Sequence, residues 1–255
     1  MAHYYFVSAA LPPLALGVKP EITFKELREM LALNLTSRDL ERFNLLLRPI
    51  DLYNLKAFWL GLPFDEKGNF TARELEEALL VRDPLPAFLI DYLERYESVS
   101  DRVRYFSSLY ASLYREEAGG FLGKYIRFER ESRLILTALR AKKEGRDFVR
   151  ELQFEDPSDP FVAQILAQKD APDYMPPREH EGLKAIFMEN GRDPNKLAFA
   201  LMEVRFRKIE ELEENEHFSL DRILAYAARL LIVENWDQLD KEKGSMAVEE
   251  LSKYG

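Results

Sequence analysis

Arg127–Leu152 reads RFERESRLILTALRAKKEGRDFVREL: an apolar helix that turns basic, stops at Gly145 and restarts toward Glu151-Leu152. Glycine reaches positive φ without a Cβ clash, so it can end a helix in a left-handed cap. Lysines in the last turn favour the negative end of the helix dipole, and the basic cluster Arg140–Lys143 reads either as such an end or as a contact surface. Similar endings occur at Gly68, followed by Glu74-Leu75, and at Gly244, followed by Glu250-Leu251. In all three, Glu lies six and Leu seven residues past the glycine, behind a Lys- or Glu-rich cluster. The glycines are 77 and 99 residues apart, so the pattern predicts three diverged copies of a helical unit, without the exact period of a solenoid. The plainer alternative is a pair of helices meeting at a glycine.

Working outward, 255 residues suffice for a sizeable core in one large domain or two to three small ones. An apolar content of 47% with 32% charged residues is that of an ordinary folded chain. A net charge of −9 argues against a nonspecific nucleic-acid surface, which needs a basic footprint. Without cysteine there is no disulfide, thiolate nucleophile or Cys-based metal site, and a reducing cytoplasmic setting is compatible. The opening MAHYYFVSAALPPLALG lacks the basic region of a signal peptide, and Pro12-Pro13 break its apolar run. No stretch reaches the roughly 18–20 apolar residues that span a bilayer.

Tyr4-Tyr5-Phe6-Val7 is aromatic and β-prone, so residues 4–16 are expected to be an extended segment tucked against the body, or else an exposed docking arm. Thr23–Glu26 and Thr71–Glu74 are capping boxes that open helices. Thr36–Leu47 and Asp51–Leu60 read as two helices, and Pro84 and Pro86 close the one begun at Thr71. Residues 87–96 and 100–116 are helical, and in the second Phe106, Tyr110 and Tyr114 share a face, as a helix–helix core would have them. Residues 155–180 carry five prolines and form the best linker or loop, with a short helix Phe161–Gln168 behind Pro160. Pro194 begins a helix to about Glu213, and Ser219 caps the last one, whose core is Ile223, Leu224, Ala227, Leu230, Leu231, Val233 and Trp236. No alternating run supports a sheet. The expected fold is all-α.

Candidate chemistry is sparse. Gly119–Tyr125, GGFLGKY, departs from a phosphate loop at Ala118 and Tyr125, and it lacks a preceding strand. Asp65–Leu79 resembles half of a calcium loop, but Pro63 and Lys67 would fall at ligand positions, so a turn with a capping box accounts for it better. His3, His180 and His217 form no i,i+4 pair and read as surface or loop residues. Glu210-Glu211 and Glu213-Glu214 lie in a charged run of the solvated-face kind. No catalytic, cofactor-binding or metal-binding residue is assigned, and an enzyme is not expected.

The segments around the three glycines resemble a known family. Asp51-Leu52-Tyr53-Asn54-Leu55-Lys56 with Gly68, Glu129–Gly145 and Glu234–Gly244 are similar to the Asn-Leu-Arg/Lys, apolar helix, Lys-x-x-Gly pattern of the stalk subunit of V-type and A-type ATPases that is known as C, or as d in eukaryotes. The opening HYYFVSAALPPLALG with ITFKELREM also resembles a short uncharacterised bacterial family associated with V-type ATPases. The resemblance implies a funnel-like bundle of three helical lobes. The corresponding division is 1–85, 86–155 and 181–255, with the proline-rich loop at 156–180. It implies a non-catalytic coupling component of the central stalk, linking rotor shaft to membrane ring in a rotary motor for ion or proton transport. Its partners would be the ring and shaft proteins of that motor, and its place the cytoplasmic face of the inner membrane. The alternative is a free-standing helical protein–protein adaptor.

Overall fold

The computed structural model describes residues 4–115, 118–213 and 218–253, with side chains through 240. Among these the chain is all-α: thirteen α-helices and one 3-10 turn, with no strand. No helix among the described residues is long and apolar enough to cross a membrane. The chain divides into two compact units, one of residues 1–40, 120–125 and 175–255, the other of residues 41–119 and 126–174.

The first unit is centred on the last helix. Here α1 (Tyr5–Ala10) and α2 (Phe24–Asn34) pack with α11 (Glu181–Asn190), α12 (Pro194–Leu212) and α13 (Leu220–Lys253). Thr23 and Glu26 form the expected reciprocal capping box, and Phe24, Leu27 and Leu31 are buried. Pro194 stands in the first turn of α12 behind Asp193, whose carboxylate accepts from the Asn195 and Lys196 amides. The Ser219 hydroxyl accepts the Arg222 amide at 3.2 Å, which caps α13. Ile223, Leu224, Ala227, Leu230 and Val233 are buried as expected, while Leu231 and Trp236 are half-buried. Trp236 meets the Phe199 ring edge-on at 4.6 Å.

Several local expectations are corrected. The N-terminal segment is helical at Tyr5–Ala10, not extended, before an extended Leu11. Tertiary contacts override β propensity there: the Tyr4 amide donates to the Phe218 carbonyl at 3.0 Å, the Tyr4 hydroxyl bonds to Asp39, and Val7 is buried. The two helices expected over 36–60 are one, α3 (Ser37–Leu60), which runs through Pro49. Gly145 is the left-handed cap foreseen for it, at φ 63°. Its amide reaches the Lys142 carbonyl, and the Arg146 amide reaches Ala141 at 2.9 Å, a Schellman pair ending α8 (Gly120–Glu144). The other two glycines end no helix: Gly68 sits in a turn and Gly244 lies inside α13.

The second unit holds the rest of α3 and α8, with α4 (Ala72–Val81), α5 (Ala87–Arg95), α6 (Val99–Arg104), α7 (Ser107–Leu113), α9 (Phe148–Glu151) and α10 (Pro160–Leu166). The helix expected over 100–116 is divided at Tyr105-Phe106. Its aromatic stripe is core, in line with the sequence pattern. Phe106 meets Trp59 edge-on at 6.1 Å and Tyr110 at 5.7 Å, and Tyr110 stacks with Tyr114. Arg133 lies over both Tyr110 and Tyr114. The proline-rich stretch is fastened down as far as Tyr174. Glu155, nearly buried, takes Arg133 and also Arg130 at 3.2 Å, while Arg130 reaches Asp159 at 3.1 Å. The Lys142 ammonium, expected to face the helix dipole, donates to the Lys169 and Ala171 carbonyls, the latter at 2.6 Å.

Two outcomes follow from these contacts. Removing the shared carboxylate takes from Arg133 its charged partner and leaves Arg130 with Asp159 alone in a partly desolvated site, so Glu155→Gln is expected to cost about 3 kcal/mol. Urea unfolding would register it as a lower midpoint at unchanged slope. Tyr226 is 5% exposed, and its hydroxyl has no hydrogen-bond partner among the described residues. Burial pushes its phenol up to about 12, with Arg229 pulling the other way. The unfolded phenol loses its proton near pH 10, about two units earlier, so this contribution is complete below pH 10 and disappears between 10 and 12. In thermal melts across that interval, Tyr226→Phe should lose stability less steeply than the wild type.

Candidate functional site: a groove beside a side-chain clasp

The groove begins with how the turn after α3 is held. Asn54, 1% exposed, uses both ends of its amide on one residue: it accepts the Asp65 N–H and donates to the Asp65 carbonyl, each at 2.8 Å. One turn earlier, Asp51 accepts the Asn69 N–H and side-chain amide, both at 2.6 Å. Positions three apart on a helix share a face, so α3 presents the pair side by side. The Asn69 side chain also donates to the Asn44 carbonyl at 2.9 Å. Backbone hydrogen bonds that a turn cannot make with itself are thus made to α3.

Gly68 is required for closeness, not for left-handed φ. A Cβ there would stand 2.8 Å from both the Asn54 Nδ2 and the Asp51 Oδ1. Immediately after the clasp, Thr71 and Glu74 form the second capping box: the Thr71 amide donates to Glu74 at 2.8 Å and the Glu74 amide to Thr71 at 3.2 Å. The clasp therefore sets where α4 starts. It ends at Arg82, which is left-handed at φ 64°, and Asp83–Leu85 turn the chain into α5.

Between these parts lies a cavity of about 560 Å³. Asn44, Arg48 and Asp51 line it from α3, Asn69 and Phe70 from the clasped turn, and Leu85, Pro86 and Phe88 from the far side. Its floor is the unit's core, in which Leu52, Leu55, Leu85 and Leu89 are buried together. Burial disfavours the charge on the Arg48 guanidinium, while Asp51 beside it favours it. A second depression of about 380 Å³ shares Asn69, Phe70, Asp83 and Pro84, and extends the groove along Glu74, Glu77 and Val81 of α4. A mostly apolar concavity with a few placed polar groups has the general character of a binding site.

Of the positions weighed for chemistry, only the Asp65–Leu79 stretch contributes to this groove, through Asn69, Phe70, Glu74 and Glu77. Of the surface or loop reading, His180 is not at the surface, being 7% exposed in the 3-10 turn Arg178–His180, while His3 and His217 lie outside the described residues. In GGFLGKY, Gly120 is left-handed at φ 64°, and the Phe121 amide at the start of α8 donates to Asp221 at 2.9 Å. A protein carboxylate thus occupies the position a phosphate would take at a helix N-terminus. The charged run of α12 is more than a solvated face: Glu213 pairs with Arg229 at 2.7 Å, Glu210 reaches Arg229 at 3.8 Å, and Glu214 lies outside the described residues. Among the described residues no group of three or more His, Asp or Glu could hold a metal ion. The groove left little trace in the sequence, because its lining comes from three separated segments; Pro84-x-Pro86 before Phe88 was the available signal.

Fold and groove define an all-helical protein with a concave, largely apolar site in one unit. The chain belongs to the family described as "Protein of unknown function (DUF2764)", whose model matches residues 1–253. It is 32% identical to an uncharacterised protein of Chlamydia muridarum over 262 residues, covering 99% of this chain and 98% of that one. Uncharacterised proteins of Chlamydia trachomatis (32% identical, 95% and 96% covered) and Chlamydia pneumoniae (31%, 99% and 98%) are similarly related. No solved structure matches. The resemblance to the stalk-protein family of V-type and A-type ATPases is thereby corrected: the matching family is this one, with no match to the stalk family. The motifs behind that resemblance have local causes, since Asn54 and Gly68 serve a clasp, Gly145 a Schellman cap, and Gly244 a helix interior.

The clasp makes a testable demand. In Gly68→Ala the new methyl must displace the Asn54 or Asp51 side chain from its backbone partner, an overpacking expected to cost about 1–3 kcal/mol. Differential scanning calorimetry of the full chain would measure it.

Proposed function

We propose that this chain is a non-catalytic helical protein that works by binding another protein, with the groove along α4 as its contact site. The observation that carries the reading is the groove itself: an apolar floor, a polar rim and walls pinned by Asn54 and Asp51. A preformed concavity beside a helix suits the insertion of an apolar side chain from a partner segment. Val81, 71% exposed at its edge, and Leu80 beside it are apolar groups left to solvent.

Two kinds of partner fit. As a coupling component, the chain would be held at the cytoplasmic membrane face by the ring and shaft of a V-type ATPase. As a free-standing adaptor, it would bind proteins elsewhere. Both need stiff packed helices and a protein-binding surface, and the partner's identity separates them.

Site-specific photocrosslinking tests the proposal. A benzophenone amino acid at position 81, in full-length protein expressed in its own host, should give one dominant light-dependent adduct. Ring or shaft proteins in that adduct would mean coupling, and other proteins an adaptor. Labelling at Val81 no stronger than at Leu33, an exposed site in the other unit, would overturn the reading.

A further inference from the structure

Resting on that reading, we infer that the groove takes a cationic amphipathic segment, with one large apolar side chain in the cavity and Lys or Arg beside it facing Glu77 and Asp83. The outer half of the groove carries Glu74, Glu77 and Asp83 and no basic residue. Glu74, Glu77, Ala78 and Val81 follow the i, i+3, i+4, i+7 pattern, so the acids and the apolar edge form one stripe of α4. Glu74 is committed to the capping box, and its carboxylate lies beside the groove. Glu77 meets Arg73 at 2.9 Å, but the two side chains are 59% and 87% exposed. A pair so solvated is worth little, so an incoming cation can displace it.

The inner half does not reverse this sign. Arg48 on that wall is matched by Asp51. Phe70 and Phe88 flank the 560 Å³ space, which is roomy enough for a leucine-sized or aromatic anchor. The whole chain, at −9, adds a far field that draws cationic segments and repels acidic ones. Apolar anchor and cationic flank are therefore demanded by adjoining parts of one surface.

The test is selection from a random 12-residue peptide display library, on the full-length wild type and on Glu77→Lys/Asp83→Lys. Both substitutions fall on exposed side chains, and circular dichroism checks that the variant is folded. Wild type should enrich peptides with one large apolar residue flanked by Lys or Arg. Their synthetic consensus should bind at least about tenfold more weakly to the double variant, and more weakly at high salt. Phe88→Ala should weaken it as well. If anchored peptides emerge with no basic bias, or the double variant binds them equally, the inferred partner charge is wrong while the groove stands. If neither protein enriches apolar-anchored peptides, or Phe88→Ala leaves their binding unchanged, the groove reading itself fails.

Discussion

The side chain of Asn54 does for a turn what a neighbouring strand does in a sheet. It satisfies one residue's N–H and C=O together from a buried position on α3. An amide buried with both ends paired is stabilising, whereas losing either bond leaves a desolvated polar group at a cost of about 1–3 kcal/mol. Asp51 repeats the arrangement with a charged acceptor, which strengthens its bonds to Asn69. The start of α4, the position of Phe70 and the width of the groove follow from these four hydrogen bonds. Gly68 is the condition for all of them, since a methyl group would occupy the space they use.

Elsewhere in the same unit the principle is applied with charge. Glu155 is held by two guanidinium groups, one of which also lies over Tyr110 and Tyr114, so α8, α7 and the segment before α10 are tied at one point. Lys142 does likewise at the end of α8 by donating to carbonyls of the proline-rich stretch. These ties connect segments that lack regular pairing of their own. Their effect is to hold irregular backbone in one conformation.

Legibility in the sequence followed the range of each interaction. Capping boxes at Thr23 and Thr71, proline at the start of α10 and α12, the Ser219 cap and the left-handed Gly145 are local chemistry, and their residues stand within a few positions of each other. The all-α class followed from the same signals. Where distant residues decide, local pattern misleads. Tyr5–Ala10 is helical because Asp39 and Phe218 hold Tyr4 at its start, and α3 continues through Pro49 where a break was expected. The shared glycine spacing suggested a repeated unit, yet Gly68, Gly145 and Gly244 serve three unlike backbones. The groove needed α3, the clasped turn and the entry to α5 brought together, which no periodicity announces.

Native-state hydrogen exchange at the Asp65 and Asn69 amides tests the central claim most directly, because these are the donors to Asn54 and Asp51. If the clasp sets the groove, both amides exchange as slowly as buried helical amides of the second unit, and Asn54→Ala releases Asp65 without altering protection in α13. Exchange within about tenfold of an unstructured chain's rate at those two positions in the wild type would contradict it.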